Sequence, residues 1–397
     1  MTIPPGTCLA LDAGTVTAKL AVDGAAEPVI VAPVVAGPWR TRVSAVLYAA
    51  GAASPVDGIC LAVPEAWLDG GVEGTTEQEA LRHACEDELG ITRITWTGQL
   101  AAVAALAAQQ RGPGRYLVAD IGATGVRTAL IEVAGPVVRI VAAAAAAGGG
   151  WRDFDAAVRV QVPGGGYLPG DWYRLVTDQG RRARAALIRA TSSPSYREAP
   201  VTDEAAPHEL LAGPLIDCFA PTEQRLRTAA AQVLQGGAAE VAVLTGGLGW
   251  FPLAATAIAD VTGTGPDPVV LRSGAAAQGA LLFARGTVRL ARPASLATVT
   301  MPVNRMAGGQ LVQDDLALPW TEPFARPADE ALHISEQVVI VDIAGRRVTA
   351  NVPGLMPGPC RVGVRAGWTG RSVLVVRPDD GAGPPVVVSL DALSAGG

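Results

Sequence analysis

One short pattern occurs twice in this chain and constrains its fold more than any other feature. LALDAGTVTAKLAVDG, Leu9 to Gly24, is an apolar run ending at Leu11, then Asp12, Gly14, small hydroxyl residues, Lys19 and a second apolar run. YLVADIGATGVRTALIEV, Tyr116 to Val133, repeats the plan with Asp120, Gly122, a Thr-Gly turn at Thr124 and Gly125, the basic Arg127 and another apolar run. The flanking runs have strand propensity, and a glycine between them allows a tight turn and close backbone approach. Each stretch reads as a hairpin whose turn can hold phosphate through backbone N–H groups, with the aspartate placed to hold a metal's waters. The recurrence predicts an internal duplication.

A third unit, VAVLTGGLGWFPLAATAIAD, runs from Val241 to Asp260. It reads as a buried strand entering Gly246 and Gly247, then a helix opened by Pro252. A glycine pair between strand and helix lets a flat ring or a phosphate lie against the backbone.

With 397 residues the chain has room for two or three domains and a large core. Aromatic residues are only 5% of it, so the core must come from Val, Leu, Ala and close backbone contacts. A formal net charge of −6 argues against nucleic acid or an anionic membrane as principal partner. Cys8, Cys60, Cys85, Cys218 and Cys360 are odd in number and lack CxxC spacing, which predicts reduced structural thiols and a cytoplasmic setting. The opening MTIPPGT has no basic region or long apolar core, so no signal peptide is expected. The run Val141–Ala147, stopped by three glycines, is too short to span a membrane. His83, His208 and His333 are dispersed and make no metal or acid–base set.

Along the chain, strands are expected at Val29–Val35, Val43–Ala50, Ile59–Val63 and Ile94–Thr97. Thr75, with Gln78 three residues later, predicts a capped helix from Thr76 to Leu89. Small-residue helices are expected at Leu100–Gln109 and Ser273–Phe283. Others are expected from Phe154 after an Asp153 cap, over Trp172–Ala190, over Leu210–Phe219 and over Thr222–Leu234. Near Arg285 the character changes: QVVIVDIAG, RRVTANVPG, RSVLVVRP and PVVVSL read as short antiparallel strands of a β-rich module, a small sandwich.

In order and spacing these motifs resemble the actin-like ATPase superfamily, and more narrowly the Hsp70 chaperones, over residues 8 to 283. LDAGTVTAKLAV resembles the first phosphate loop, DIGATGVRTALIEV the second and VLTGGLGWFP the adenosine loop. ICLAVPEAWLDG followed by TEQEALRHACEDELG, and GGGWRDFDAAV, resemble further Hsp70 segments. The resemblance implies an α/β, two-lobed actin-like ATPase fold of duplicated RNase H-like domains with a C-terminal β-rich module. Lobe I would take residues 1–120 with its upper subdomain trimmed, lobe II residues 116–284, and the β-rich domain residues 285–397.

It also implies ATP or ADP with Mg²⁺ as cofactors. Asp12 and Asp120 would direct the metal through its waters. Gly14, Thr15, Val16 and Thr17 would face the phosphates from one side, and Gly122, Ala123, Thr124 and Gly125 from the other. Gly246, Gly247, Trp250, Arg181 and Arg184 would line the adenosine side. Lys19 and Gln99 resemble the actin pair in which a lysine reaches the phosphates and a glutamine positions water. Hydrolysis would be in-line attack on the γ-phosphate. The chain departs from Hsp70 in lacking a match to its catalytic lysine, in Ala123 replacing a loop glycine, and in the linker GTVRLARPASLATV.

Four functions stay open: an Hsp70-like slow ATPase with a C-terminal recognition module, a catalytically weak nucleotide-binding scaffold, a cytomotive actin-like filament protein, and a sugar kinase-like phosphotransferase. In the first, Trp320, Phe324 and Trp368 either line a groove for an extended peptide or fill the module's own core.

Overall fold

The computed structural model describes the chain apart from residues 1–6, 15–16, 25–29, 34–36, 51–55, 57, 92, 162–180, 203–209, 264–266, 292–296, 321–323, 325–331, 335–336, 356–357, 379–383 and 392–397. It is a mixed α/β protein with a separate antiparallel β-rich region. The first elements are β1 (Leu9–Asp12), β2 (Thr17–Val22), β3 (Ile30–Pro33), α1 (Trp39–Ala49), β4 (Gly58–Val63), α2 (Val72–His83), β5 (Arg93–Gly98) and α3 (Gln99–Arg111). There follow β6 (Gly114–Ile121), β7 (Gly125–Ala134), β8 (Val137–Ala147), α4 (Trp151–Gln161), α5 (Arg181–Ser192), α6 (Ala212–Leu234), β9 (Val241–Thr245), α7 (Pro252–Thr262), β10 (Val269–Val270), α8 (Ala275–Ala284) and β11 (Arg289–Leu290). Three strands, a helix, then strand, helix, strand, helix is the plan both times, with α5 and α6 added in the second. The pairing sense recurs too: β2 and β3 are antiparallel and β4 and β5 parallel, while β6, β7 and β8 are antiparallel and β9 runs parallel to β6 and β10.

By packing the chain divides into two compact units, residues 10–34 with 99–290, and residues 1–9 with 35–98 and 291–397. In the first, Leu117, Ala119 and Ile121 of β6 and Val126 and Leu130 of β7 meet residues of α4 to α7 in one core. Phe154, Phe219 and Phe251 form its aromatic centre, with ring centroids 4.9–5.9 Å apart. The other aromatics are scarce, and small residues replace them: α3 packs on α8 so closely that a Cβ on Gly279 would lie 1.9 Å from the Ala102 carbonyl oxygen. The expected break near Pro221 is absent, and α6 continues through it as one helix. Phe219 and Leu226, on either side of the proline, are both fully buried in the core, and that burial offsets the roughly 3 kcal/mol cost of an interior proline.

Thr128 of β7 is fully buried, and its hydroxyl has no hydrogen-bond partner among the described residues. An unmatched buried hydroxyl costs about 1–3 kcal/mol. Thr128→Val, which keeps the shape, should therefore raise stability by about 1 kcal/mol, read as a higher denaturant midpoint. A lower midpoint would show that the hydroxyl has a partner.

The second unit combines α1, β4, α2 and β5 with the β-rich region. The latter consists of β12 (Val299–Ala307), β13 (Gln310–Ala317), β14 (Leu332–Ile334), β15 (Val338–Ile343), β16 (Arg346–Asn351), β17 (Gly358–Ala366), β18 (Ser372–Pro378) and β19 (Val386–Ser389). They form two four-stranded sheets, β13-β12-β15-β16 and β14-β17-β18-β19, antiparallel throughout. Val339, Val341 and Ala350 of one sheet share a core with Cys360, Val362, Val364 and Leu374 of the other. The antiparallel strands expected from the alternating runs thus form two sheets over one core.

Helix α2 lies against this region. Its Glu79 is fully buried and accepts hydrogen bonds from Arg377 Nε (2.5 Å) and Nη2 (2.8 Å), from Arg365 Nε (2.9 Å) and from Arg82 Nε (3.1 Å). Burial pushes the Glu79 carboxyl up, but the Arg377 hydrogen bond and the Arg365, Arg377 and Arg82 charges outweigh it and hold the group at about 2. Phe324 is buried under this cluster, with Arg377 stacked 4.1 Å from its ring centre. The Trp368 indole donates to the Glu65 carbonyl at 3.0 Å, and Trp320 packs on the shared core. All three aromatics serve internal packing.

Two sequence expectations are corrected here. Residues 43–50, expected as a strand, lie mostly in α1, because Val43 and Val46 are buried at helical spacing while Tyr48 is exposed. Helix α2 begins at Val72, so Thr75 and Gln78 are buried interior residues and not its cap. The expected helix over Trp172–Ala190 is seen from Arg181, its earlier part lying outside the described residues. All five cysteines are free, and burial pushes the Cys85 thiol up to about 12 and that of Cys218 up to about 11. Among the described residues no helix is long and apolar enough to cross a membrane.

Candidate functional site

Asp12 ends β1 and Lys19 lies on β2; the Lys19 ammonium is 3.3 Å from the Asp12 carboxylate. Asp120 lies near the end of β6 directly opposite Arg127 on β7, and the two form an ion pair. Each hairpin thus closes on an aspartate and a cation seven residues later. Gln99, the first residue of α3, joins them. Its Nε2 donates to Asp12 Oδ1, and its Oε1 accepts from Arg127 Nη1. The result is a continuous polar chain, Lys19–Asp12–Gln99–Arg127–Asp120, within the unit of residues 10–34 and 99–290. Asp12, Gln99 and Asp120 are all buried.

The second hairpin turn is shaped by α4. Gly122, Ala123 and Thr124 give their carbonyls to the N–H groups of Trp151 (2.8 Å), Arg152 (3.1 Å) and Gly148 (2.9 Å), and Gly122 N–H donates to Gly125 at 3.0 Å. This satisfies amides at the start of α4 that an isolated helix leaves open. The Ala123 and Thr124 N–H groups donate to no acceptor among the described residues. Three and four residues beyond Asp120, they are the donors a phosphate would use.

Gly246 follows β9 with φ +91°, and a Cβ there would lie 2.2 Å from Asp120 Oδ1 and 2.5 Å from the Ile121 carbonyl oxygen. Only glycine fits against the Asp120 carboxylate. Gly247 carries no such restriction, since its Cβ would meet the Trp151 side chain no closer than 3.5 Å. The Trp250 indole donates to the Gly247 carbonyl at 2.8 Å and its ring sits edge-on to Phe251, so it braces this loop.

Of the residues expected to bind, Asp12, Lys19, Gln99 and Asp120 are brought together, and Gly122 to Gly125 and Gly246 adjoin Asp120. Gly14 lies half-buried in the β1–β2 turn. Thr15 and Val16 lie outside the described residues, and Thr17 opens β2. Arg181 and Arg184 are exposed on α5, and Arg184 pairs with Asp267 at 3.2 Å. Among the described residues neither is linked to the carboxylate chain.

Arg127 is the central residue that the motif reading did not assign. The signal was present: it follows Asp120 at the spacing that led to Lys19 from Asp12. Its presence bears on the expected metal. Mg²⁺ takes an octahedral shell of oxygens, which in nucleotide sites are waters, substrate phosphates and one or two carboxylates. Here each carboxylate already faces a side-chain cation, and Gln99 turns an N–H toward Asp12. No group of three or more His, Cys, Asp or Glu side chains able to hold a metal occurs among the described residues. The described side chains thus offer a divalent cation two carboxylates that are already paired with cations, and no cage of their own. In comparison with known proteins, no family model matches the chain and no curated protein is significantly similar to it.

Proposed function

We propose that this is an adenine-nucleotide-binding protein of the actin, Hsp70 and sugar kinase type, acting as a nucleotide-dependent scaffold with little or no hydrolysis. The carrying observation is the buried polar chain in which Gln99 joins the aspartates of two similar hairpins far apart in sequence. The repeated element order supports reading those hairpins as the phosphate loops of duplicated RNase H-like lobes. Adenine as the base rests on the likeness of VLTGGLGWFP to an adenosine loop.

Weak turnover follows from the same contacts. A glutamine that orients attacking water needs an amide end directed at that water. Both ends of Gln99 are held by charged side chains, and Lys19 is held by Asp12. Hsp70-like peptide capture by Trp320, Phe324 and Trp368 has no support, since these residues fill internal contacts.

Calorimetric titration of the full chain with ATP, ADP and GTP tests this reading. Saturable binding of both adenine nucleotides, tighter than GTP by about tenfold or 1.4 kcal/mol, is expected, with phosphate release from ATP little above the rate without protein. No binding of either adenine nucleotide would remove the proposal. Phosphate transfer dependent on an added sugar would favour the kinase alternative.

A further inference from the structure

We infer that the site takes nucleotide phosphates without a divalent cation, Arg127 and Lys19 supplying the positive charge that a metal brings elsewhere. This rests on the nucleotide-binding reading and adds its metal requirement. The two aspartates contribute two negative charges and the two basic residues two positive ones, so the polar chain is neutral before any ligand arrives. Its charges are also layered. The Arg127 side chain is 28% exposed against 12% for Asp120, and Lys19 is 16% exposed against 7% for Asp12. A ligand approaching from solvent therefore meets the cations first, with the carboxylates behind them.

For a polyphosphate that order is favourable, because a guanidinium matches phosphate oxygens as well as carboxylate oxygens. The Ala123 and Thr124 amides, which have no acceptor among the described residues, add donors at the tip of the strand pair that carries Arg127. For Mg²⁺ the order is unfavourable. The ion would be repelled by both cations, and its waters would compete with them for the same buried carboxylates. Gly246 closes one direction of movement for Asp120, since a Cβ there would lie 2.2 Å from its Oδ1.

The test is ATP and ADP titration of the full chain in excess Mg²⁺, in excess EDTA, and with Mg²⁺ alone. Dissociation constants in EDTA and in Mg²⁺ should agree within about threefold, and Mg²⁺ alone should cause no shift in melting temperature. Binding confined to the Mg²⁺ arm would overturn this inference and leave the nucleotide reading standing. No binding in either arm would overturn both. Arg127→Met supplies a second reading: affinity in EDTA should fall at least about tenfold, and Mg²⁺ should restore part of it, because Asp120 is then released. Unchanged affinity in EDTA for a folded Arg127→Met protein would also overturn the inference. Should that variant not fold, the wild-type arms decide alone.

Discussion

Glu79→Gln should cost the unit of residues 35–98 and 291–397 about 3–5 kcal/mol, the loss expected when one partner of a buried ionic cluster is removed. The substitution keeps size and most hydrogen-bonding capacity. What it removes is the single negative charge on which Arg82, Arg365 and Arg377 converge, and the Arg82 and Arg377 side chains are themselves only 8% exposed. Denaturant unfolding of wild type and variant would measure the difference. Equal midpoints would mean that the three guanidinium groups find other partners. The wild type should also carry a pH signature. The Glu79 carboxyl is held at about 2, below its ordinary 4.5, so its contribution is complete above the ordinary value and is lost as pH falls from there toward 2. Glu79→Gln should remove that part of the acid sensitivity.

Gly246→Ala is the second large effect. A non-glycine residue at φ +91° incurs backbone strain of about 1–3 kcal/mol. The added methyl would also fall within 2.2 Å of Asp120 Oδ1, and an overpacked site of this kind adds about 1–3 kcal/mol. Asp120 must then move, taking Arg127 and Gln99 with it. The expected outcome is a lower melting temperature and adenine-nucleotide binding weakened at least about tenfold. Gly247→Ala is the matched control: its methyl meets only ordinary contacts with Trp151, so both quantities should stay near wild type. Similar losses at the two positions would show that the loop is generally intolerant and that the Asp120 contact is not special.

The parts of this arrangement visible from the sequence are local ones. Strand propensity, an aspartate, a glycine and a basic residue at fixed spacing are enough to find both hairpins, and a strand followed by Gly246-Gly247 and Pro252 is enough to find the third loop. Other features depend on contacts between distant residues. The segment holding Val43 and Val46 has an apolar run compatible with strand or helix, and only burial of one helical face separates them. Pro221 reads as a break until the core that holds both sides of it is known. Arg127 reads as one more basic residue until Gln99 is placed beside it. Glu79 lies in TEQEALRHACEDELG, which reads as a helix with nothing local to single out one of its acids, and the distant arginines that meet its charge come from β17 and β18.

The separation of those partners sets an order of events during synthesis. Glu79 and Arg365 are 286 residues apart and Glu79 and Arg377 are 298 apart. A ribosome adding roughly 5–20 residues per second leaves the α2 carboxylate without its distant cations for about 15–60 seconds. The unit of residues 10–34 and 99–290 is complete well before then. It can assemble on the nascent chain, while the unit that begins earlier in the sequence closes last. Through that interval Glu79 has only the local Arg82 to match its charge, and a charge satisfied by one partner disfavours early burial of α2 against the wrong apolar surface. The acid group that secures the finished unit also keeps its first half waiting in water for its second.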